Sequence, residues 1–152
     1  MHTQYSLLDG ANKLPDVLEQ AKAMGQTAIA ITDHGNMHGA MEFYSEAKRV
    51  GIKPIIGCEL YVTSGSRFDR KPRAQGGEGT HHLTVLAQNK QGYSNLCKLV
   101  SLAYREGFYF KPRVDHDLLE RFNEGLVVLS GCLAGEIAEA AVRKQDLALL
   151  RN

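Results

Sequence analysis

The stretch AIAITDHGNMHG, residues 28–39, decides how the chain is read. Four apolar residues and a threonine have the character of a short buried strand, and Asp33-His34-Gly35 follows at once. An ionisable pair directly behind such a strand marks the rim of an α/β sheet, where chemistry-bearing side chains collect. Helical patterns flank it on both sides. Upstream, Leu14, Val17, Leu18 and Ala21 recur at helical spacing, with Pro15 suited to a first turn and Gly25 to a stop. Downstream, Asn36 is placed to cap a second helix with Ala40, Met41, Tyr44 and Ala47 as its buried stripe and Gly51 as its end.

Working outward, residues 52–62 form an extended apolar run with Pro54 near its start, where a missing N–H is tolerated. Residues 64–80 are rich in Gly, Arg and Lys and predict an exposed loop. A strand follows at 82–87, then a helix with Tyr93, Leu96, Leu99, Val100 and Ala103 as its stripe and Gly107 as its stop. Residues 108–117 are irregular, 118–122 a short helix, 126–129 a buried strand and 134–150 helical. Strands alternating with helices predict an α/β fold, a parallel sheet covered by helices, as a layer or a barrel.

Composition narrows the function classes. A net charge of +1 gives no global basic field of the kind that marks a nucleic-acid binder. No apolar run approaches the roughly 20 residues a bilayer span needs, so no membrane is expected as a partner. The first ten residues, MHTQYSLLDG, lack the basic and apolar segments of a secretory signal. Three widely spaced cysteines, Cys58, Cys97 and Cys132, make a poor disulfide framework and fit a reducing, cytoplasmic setting.

Potential metal ligands recur at the strand ends. They are His2 and Asp9 near the N-terminus, Asp33 and His34 after the first strand, Glu59 in the second, His82 in the third and Cys132 after the last. Imidazole, carboxylate and thiolate suit zinc, and a site rich in His and carboxylate also takes manganese or iron. Adjacent ions would clamp a phosphoryl group and generate hydroxide near neutral pH. Each residue also has a plain structural reading. A lone strand-end His is often only hydrogen-bonded, Cys132 reads as a small buried hydrophobe, Asp9 as a turn residue before Gly10, and Asp33 as a cap or as the group orienting His34. Arg67, Arg70, Lys71 and Arg73 read as a solvated loop that could touch phosphates. A carboxylate at position 59 of an apolar strand is harder to dismiss, because burial demands a partner.

The segments HTQYSLLDGA, ITDHGNMHGA, KPIIGCELYV, HHLTVLAQNKQGYSNLCKLVS and LSGCLAGEI together resemble the PHP (polymerase and histidinol phosphatase) domain. The likeness is strongest to the branch carried at the N-terminus of bacterial replicative DNA polymerase III alpha subunits. It runs from Met1 to about Ala140. The resemblance implies a distorted (β/α)7 TIM-like barrel, incomplete in this chain, with up to three divalent ions (zinc, manganese or iron) at one face. It implies His2, Asp9, His34, Glu59, His82 and Cys132 as metal ligands. Asp33, His34 and Glu59 would be the catalytic core, Asp33 fixing the tautomer of His34. His82 is preferred to His81, which would point to the opposite face of its strand.

The family's first motif is His-x-His, and its first His would precede Met1. Its closing Asp-x-His motif would lie beyond Asn152. The resemblance thus implies a partial PHP domain over residues 1–152, part of a longer DNA-directed DNA polymerase. Members with a complete site are metal-dependent 3′–5′ exonucleases, and the fragment alone is expected to be inactive. DNA at the primer 3′ end, a proofreading subunit and a sliding clamp would be partners through the parent. The alternatives are a non-catalytic scaffold that docks the proofreading subunit and a stand-alone phosphoesterase of the histidinol-phosphatase type.

Overall fold

A computed structural model describes residues 1–70 and 79–143. Lys71, Arg73 and the helix expected past residue 143 lie outside them. In chain order the elements are α1 (Leu14–Ala23), β1 (Ala28–Ile31), α2 (Ala40–Val50), β2 (Lys53–Thr63), β3 (Thr80–Ala87), α3 (Lys90–Arg105), β4 (Arg113–Val114), α4 (His116–Arg121), β5 (Leu126–Leu129) and α5 (Glu136–Arg143). Among the described residues no helix is long and apolar enough to cross a membrane.

The five strands form one mixed sheet in the order β1-β2-β3-β5, with β4 beside the far end of β2. The α/β class matches expectation, but the sheet is not all parallel. β2 runs parallel to β1 and β4, whereas β3 is antiparallel to both β2 and β5. A parallel neighbour needs a crossover, usually helical. The sequence between β2 and β3 has no helical pattern to supply such a crossover, in keeping with their antiparallel pairing.

β2 organises the molecule. Along it Cys58, Leu60 and Val62 alternate into a core completed by Val85, Leu96, Leu99, Ala103, Val114 and Leu118 under α3 and α4. A second core joins α1 and α2 to the sheet through Leu14, Leu18, Ile31, Phe43, Ala47 and Val50.

Four local expectations are corrected. In α2 the buried stripe is Ala40, Phe43, Ala47 and Val50, while Met41 and Tyr44 are 68% and 47% exposed. The helix begins at Ala40 behind Gly39, so Asn36 does not cap it. The Asn36 side chain instead accepts from the His38 N–H and donates to the carbonyls of Tyr5 and His34, tying that turn to the N-terminal segment. β5 is not buried. It pairs with β3 alone among the described strands, and Val127, Val128 and Leu129 are about half exposed. The loop after β2 is not simply solvated. Arg67 is buried, bonded through its backbone N–H and guanidinium to Asp115 and through Nε to Glu106 at 2.7 Å. Arg70 donates to the carbonyls of Arg67 and Glu106.

Candidate metal centre

The alternation that sends Cys58 and Leu60 into the core turns Glu59 and Tyr61 to the opposite face. Glu59 is 5% exposed there, in the middle of a strand. The turn after β1 is stitched to it. The Glu59 N–H donates to the Asp33 carbonyl at 3.0 Å, and the Gly35 N–H donates to the Glu59 carbonyl at 2.8 Å. Gly35 has φ 62°, and a Cβ on it would stand 2.9 Å from Pro112 and 3.0 Å from Tyr61, so only glycine fits this turn. His34 is thereby set beside Glu59.

From the other edge, β3 places His82 directly opposite Tyr61. The loop after β5 is anchored by the His82 N–H, which donates to the Ala134 carbonyl at 3.0 Å. That loop carries Cys132, whose Sγ lies 3.6 Å from His82 Nδ1. Cys132 is exposed, not the buried hydrophobe of its plain reading. Cys58, by contrast, is fully buried in the core on the other face of β2, and burial pushes its thiol far above the usual range.

The N-terminal segment brings His2. Its Nδ1 lies 2.8 Å from the Thr32 carbonyl. A carbonyl only accepts, so Nδ1 carries the hydrogen and the Nε2 lone pair faces Glu59 at 3.6 Å.

Five of the six expected ligands therefore converge. Donor atoms of His2, His34 and Glu59 form one group, and those of Glu59, His82 and Cys132 a second, each within 4.8 Å of one another. Glu59 belongs to both. Its Oε2 faces His34 Nδ1 at 2.5 Å, and its Oε1 faces His82 Nδ1 at 3.0 Å.

Asp9 and Asp33 differ from expectation. Asp9 sits outside both groups, on the far nitrogen of His34, with Oδ2 2.9 Å from Nε2. The hydrogen bond from His34 holds the Asp9 carboxyl below the usual carboxylate range. Asp33 does not orient His34. Its carboxylate, 1% exposed, accepts from the Thr3 N–H, the Thr3 hydroxyl and the Ser6 hydroxyl at 2.6–2.8 Å. Consecutive residues point to opposite sides of an extended chain, so Asp33 pins the segment that carries His2 while Asp9 fixes the tautomer of His34.

The donor set fits a metal. With Nε2–H given to Asp9, His34 Nδ1 is a lone pair, and so is the Glu59 Oε2 it faces. The two atoms are close but lack hydrogen-bond geometry, and both are buried with no hydrogen-bond partner. Facing acceptors repel unless a cation lies among them, and native interiors rarely leave such atoms orphaned. Nitrogen, carboxylate and sulfur donors suit zinc, with manganese and iron also compatible.

Two neighbours have no counterpart in the sequence reading. Tyr61 stacks beside His34 with ring centroids 6.4 Å apart and meets His82 edge-on at 5.3 Å. Its position two residues after Glu59 was the available signal. Lys111 places Nζ 4.7 Å from the Tyr61 ring centroid, and nothing local in the sequence marks it. His81 turns to the other face, where Nδ1 lies 3.0 Å from Glu139 of α5.

The profile of the PHP domain matches residues 1–151. The DNA polymerase III subunit alpha of Thermus aquaticus is 52% identical over 154 residues, covering 99% of this chain and 12% of its own. That of Deinococcus radiodurans is 50% identical over 151 residues, covering 95% and 11%. The Treponema pallidum subunit is 54% identical over 137 residues, covering 90% and 12%. This chain thus spans about 12% of the length of the curated relatives it matches. Among solved structures, an amidohydrolase from Chromobacterium violaceum aligns with 68% of this chain and 31% of its own at 25% identity and a TM-score of 0.46, too loose a likeness to bear on the site. With its sequence matched from end to end, the chain belongs to the PHP-domain family.

Proposed function

We propose that this chain is the PHP part of a bacterial DNA polymerase III alpha subunit and works there as a metal-dependent phosphodiesterase on DNA 3′ ends. The observation that supports this best is Glu59, a buried carboxylate whose two oxygens each face a separate donor set. We read the five strands as part of the family's distorted (β/α)7 barrel, and the surroundings as a reducing cytoplasm, in keeping with three unpaired cysteines.

His2, His34, Glu59, His82 and Cys132 would hold two divalent ions, zinc or manganese, with Glu59 shared between them. Such ions supply Lewis acidity, making water nucleophilic near neutral pH and offsetting charge at a phosphoryl group. The residues do the rest. Asp9 keeps the His34 proton on Nε2, and the Thr32 carbonyl keeps the His2 proton on Nδ1, so both imidazoles present lone pairs to the centre. Asp33, through Thr3 and Ser6, holds the N-terminal segment against β1. Among the described residues, Asp9 and the far nitrogen of His34 would be on offer to a third ion, at the expense of that orienting hydrogen bond. DNA, the proofreading subunit and the sliding clamp are partners of the parent, and the 152-residue piece alone is expected to be inactive.

The test is metal content and 3′ exonuclease activity of the full-length parent, wild type against Glu59→Ala. The variant is expected to lose at least one ion and most of the nuclease activity. Unchanged metal and unchanged activity would return the domain to the scaffold reading.

A further inference from the structure

We propose that Phe110 is the stacking face for an unpaired base at a DNA 3′ end held at the metal centre, which rests on the phosphodiesterase reading above and names the form of DNA that the centre selects. Among the described residues, four large apolar side chains stand furthest into solvent. Leu7, Leu8, Phe110 and Leu133 are each at least 84% exposed, against 72% for Val142, the next. All four belong to turns that adjoin the metal ligands. The turn with Leu7 and Leu8 is closed by the Asp9 and Gly10 N–H groups on the Ser6 carbonyl. Both of its ends hold His34, for Ser6 Oγ accepts from the His34 backbone N–H at 3.2 Å and Asp9 meets Nε2. Leu133 stands between Cys132 and Ala134, whose carbonyl accepts from the His82 N–H. Phe110 lies two residues before Pro112, which with Tyr61 fills the space a side chain at Gly35 would need, beside His34.

Phe110 is the most telling of the four. It is a non-glycine residue at φ 59°, in the left-handed region that glycine enters freely and an aromatic residue does not. Such a conformation costs stability, and packing does little to offset it, because the ring is mostly in solvent and meets Tyr109 edge-on with centroids 4.6 Å apart. The surroundings impose it. The Tyr109 N–H donates to the Lys111 carbonyl at 3.1 Å, and Arg113 lies over the Tyr109 ring while bonding the carbonyls of Gly107, Arg67 and Asp69. An exposed ring in a costly conformation on a held turn suits contact with something outside the chain.

The rim narrows what that something is. Metal-ligating atoms framed by apolar tips suit a molecule that is anionic at one point and apolar beside it. A nucleotide strand has that pattern, with a phosphate next to each base. In a duplex the base faces are stacked inside, whereas an unpaired end presents them, and an aromatic ring takes any base by its π-face. A protein segment seated on the same tips would close the metal centre to its substrate. Glycine at position 110 suits the left-handed turn but removes the ring, and tryptophan keeps a ring, so the two substitutions separate a stacking role from a structural one.

The experiment uses the full-length parent loaded with Mn2+, in wild-type, Phe110→Gly and Phe110→Trp forms. Binding is read with a single-stranded hexanucleotide that carries 2-aminopurine at its 3′ end behind a phosphorothioate linkage, from the part of the fluorescence change that Glu59→Ala abolishes. Phe110→Gly is expected to weaken this binding about tenfold, the usual loss on removing one base-stacking ring. Its manganese content should match wild type, and its Tm should hold or rise, since glycine relieves the left-handed turn. Phe110→Trp should keep the affinity. In 3′ exonuclease assays, Phe110→Gly should raise KM on an unpaired end about tenfold with kcat held, and the preference for unpaired over paired ends should fall by the same factor. Affinity and KM within twofold of wild type in Phe110→Gly would overturn the contact. An equal loss on paired and unpaired ends would overturn it too, and a fall in Tm would show that the ring packs against the rest of the parent instead. If loaded wild type hydrolyses no DNA end while hexanucleotide binding still depends on Phe110, the phosphodiesterase reading fails and the contact stands.

Discussion

Arg67 and Glu59 are both charged, both less than 10% exposed, and eight positions apart in one chain, yet their surroundings differ in kind. Around Arg67 every group has an answer. Asp115 accepts from its backbone and guanidinium, Glu106 accepts from Nε, and Asp115 also caps α4 through the Leu118 N–H. Around Glu59, three imidazoles and a cysteine crowd one carboxylate, and two facing atoms are left without hydrogen-bond partners. The first cluster is complete as protein. The second is complete only with something added. A satisfied buried network holds a fold, whereas an unsatisfied one of ligand-type atoms marks where a ligand belongs.

The contrast breaks most readily at Arg67. Replacing it with alanine strands Asp115 in the interior and should cost about 3–5 kcal/mol of folding stability. Chemical denaturation should give the same loss with or without metal. A cost well under 1 kcal/mol would mean that the Arg67 network is not the structural half of the pair.

Asp9 and Asp33 sharpen the comparison next. Asp9→Asn should weaken metal binding about 10–100-fold, the usual effect of removing a carboxylate behind a ligating histidine. It should leave metal-free stability within about 0.5 kcal/mol, because Asp9 is exposed. Asp33→Asn should do the reverse. It places an amide against three donors and should cost about 1–3 kcal/mol of stability in the metal-free protein. Isothermal titration with zinc and thermal melts read the two effects, and an interchange of the two would reassign both residues.

The smallest effect is acid sensitivity at Asp115. Burial alone would raise its carboxyl. The N–H groups of Arg67 and Leu118 and the Arg67 guanidinium outweigh that and hold it below the ordinary aspartate value. A depressed folded pKa adds stability that is fully present above the unfolded value of about 3.9 and drains away as pH falls through the folded one. Wild type should therefore lose stability faster than Asp115→Asn on acidification through that window. Parallel stability–pH curves would remove the assignment.

These contrasts also explain what the sequence could disclose. His34, Glu59, His82 and Cys132 were legible because each is a ligand-type residue on or just past an apolar strand, and strands bring such positions together. Tyr61 was legible in principle, two residues from Glu59 on the same face, but an aromatic in a strand is ordinarily read as core. Asp33 was assigned to the wrong neighbour because adjacency in sequence puts two side chains on opposite sides. The burial of Arg67 had no local signal, since its partner is Asp115 and the segment around it has loop composition. The direction of β3 was hidden because a continuous apolar run looks alike in parallel and antiparallel sheets. The phase of α2 was misread because Met41 and Tyr44 mimic a stripe that Phe43 and Val50 actually form.

The most direct measurement is the number of tightly held zinc or manganese ions per chain in the full-length parent, compared between wild type, Cys132→Ser and Glu59→Ala. With Glu59 shared by two donor sets, Cys132→Ser should weaken one ion and spare the other, and Glu59→Ala should weaken both. The same metal content and affinity in Glu59→Ala as in wild type would contradict a centre built on that carboxylate.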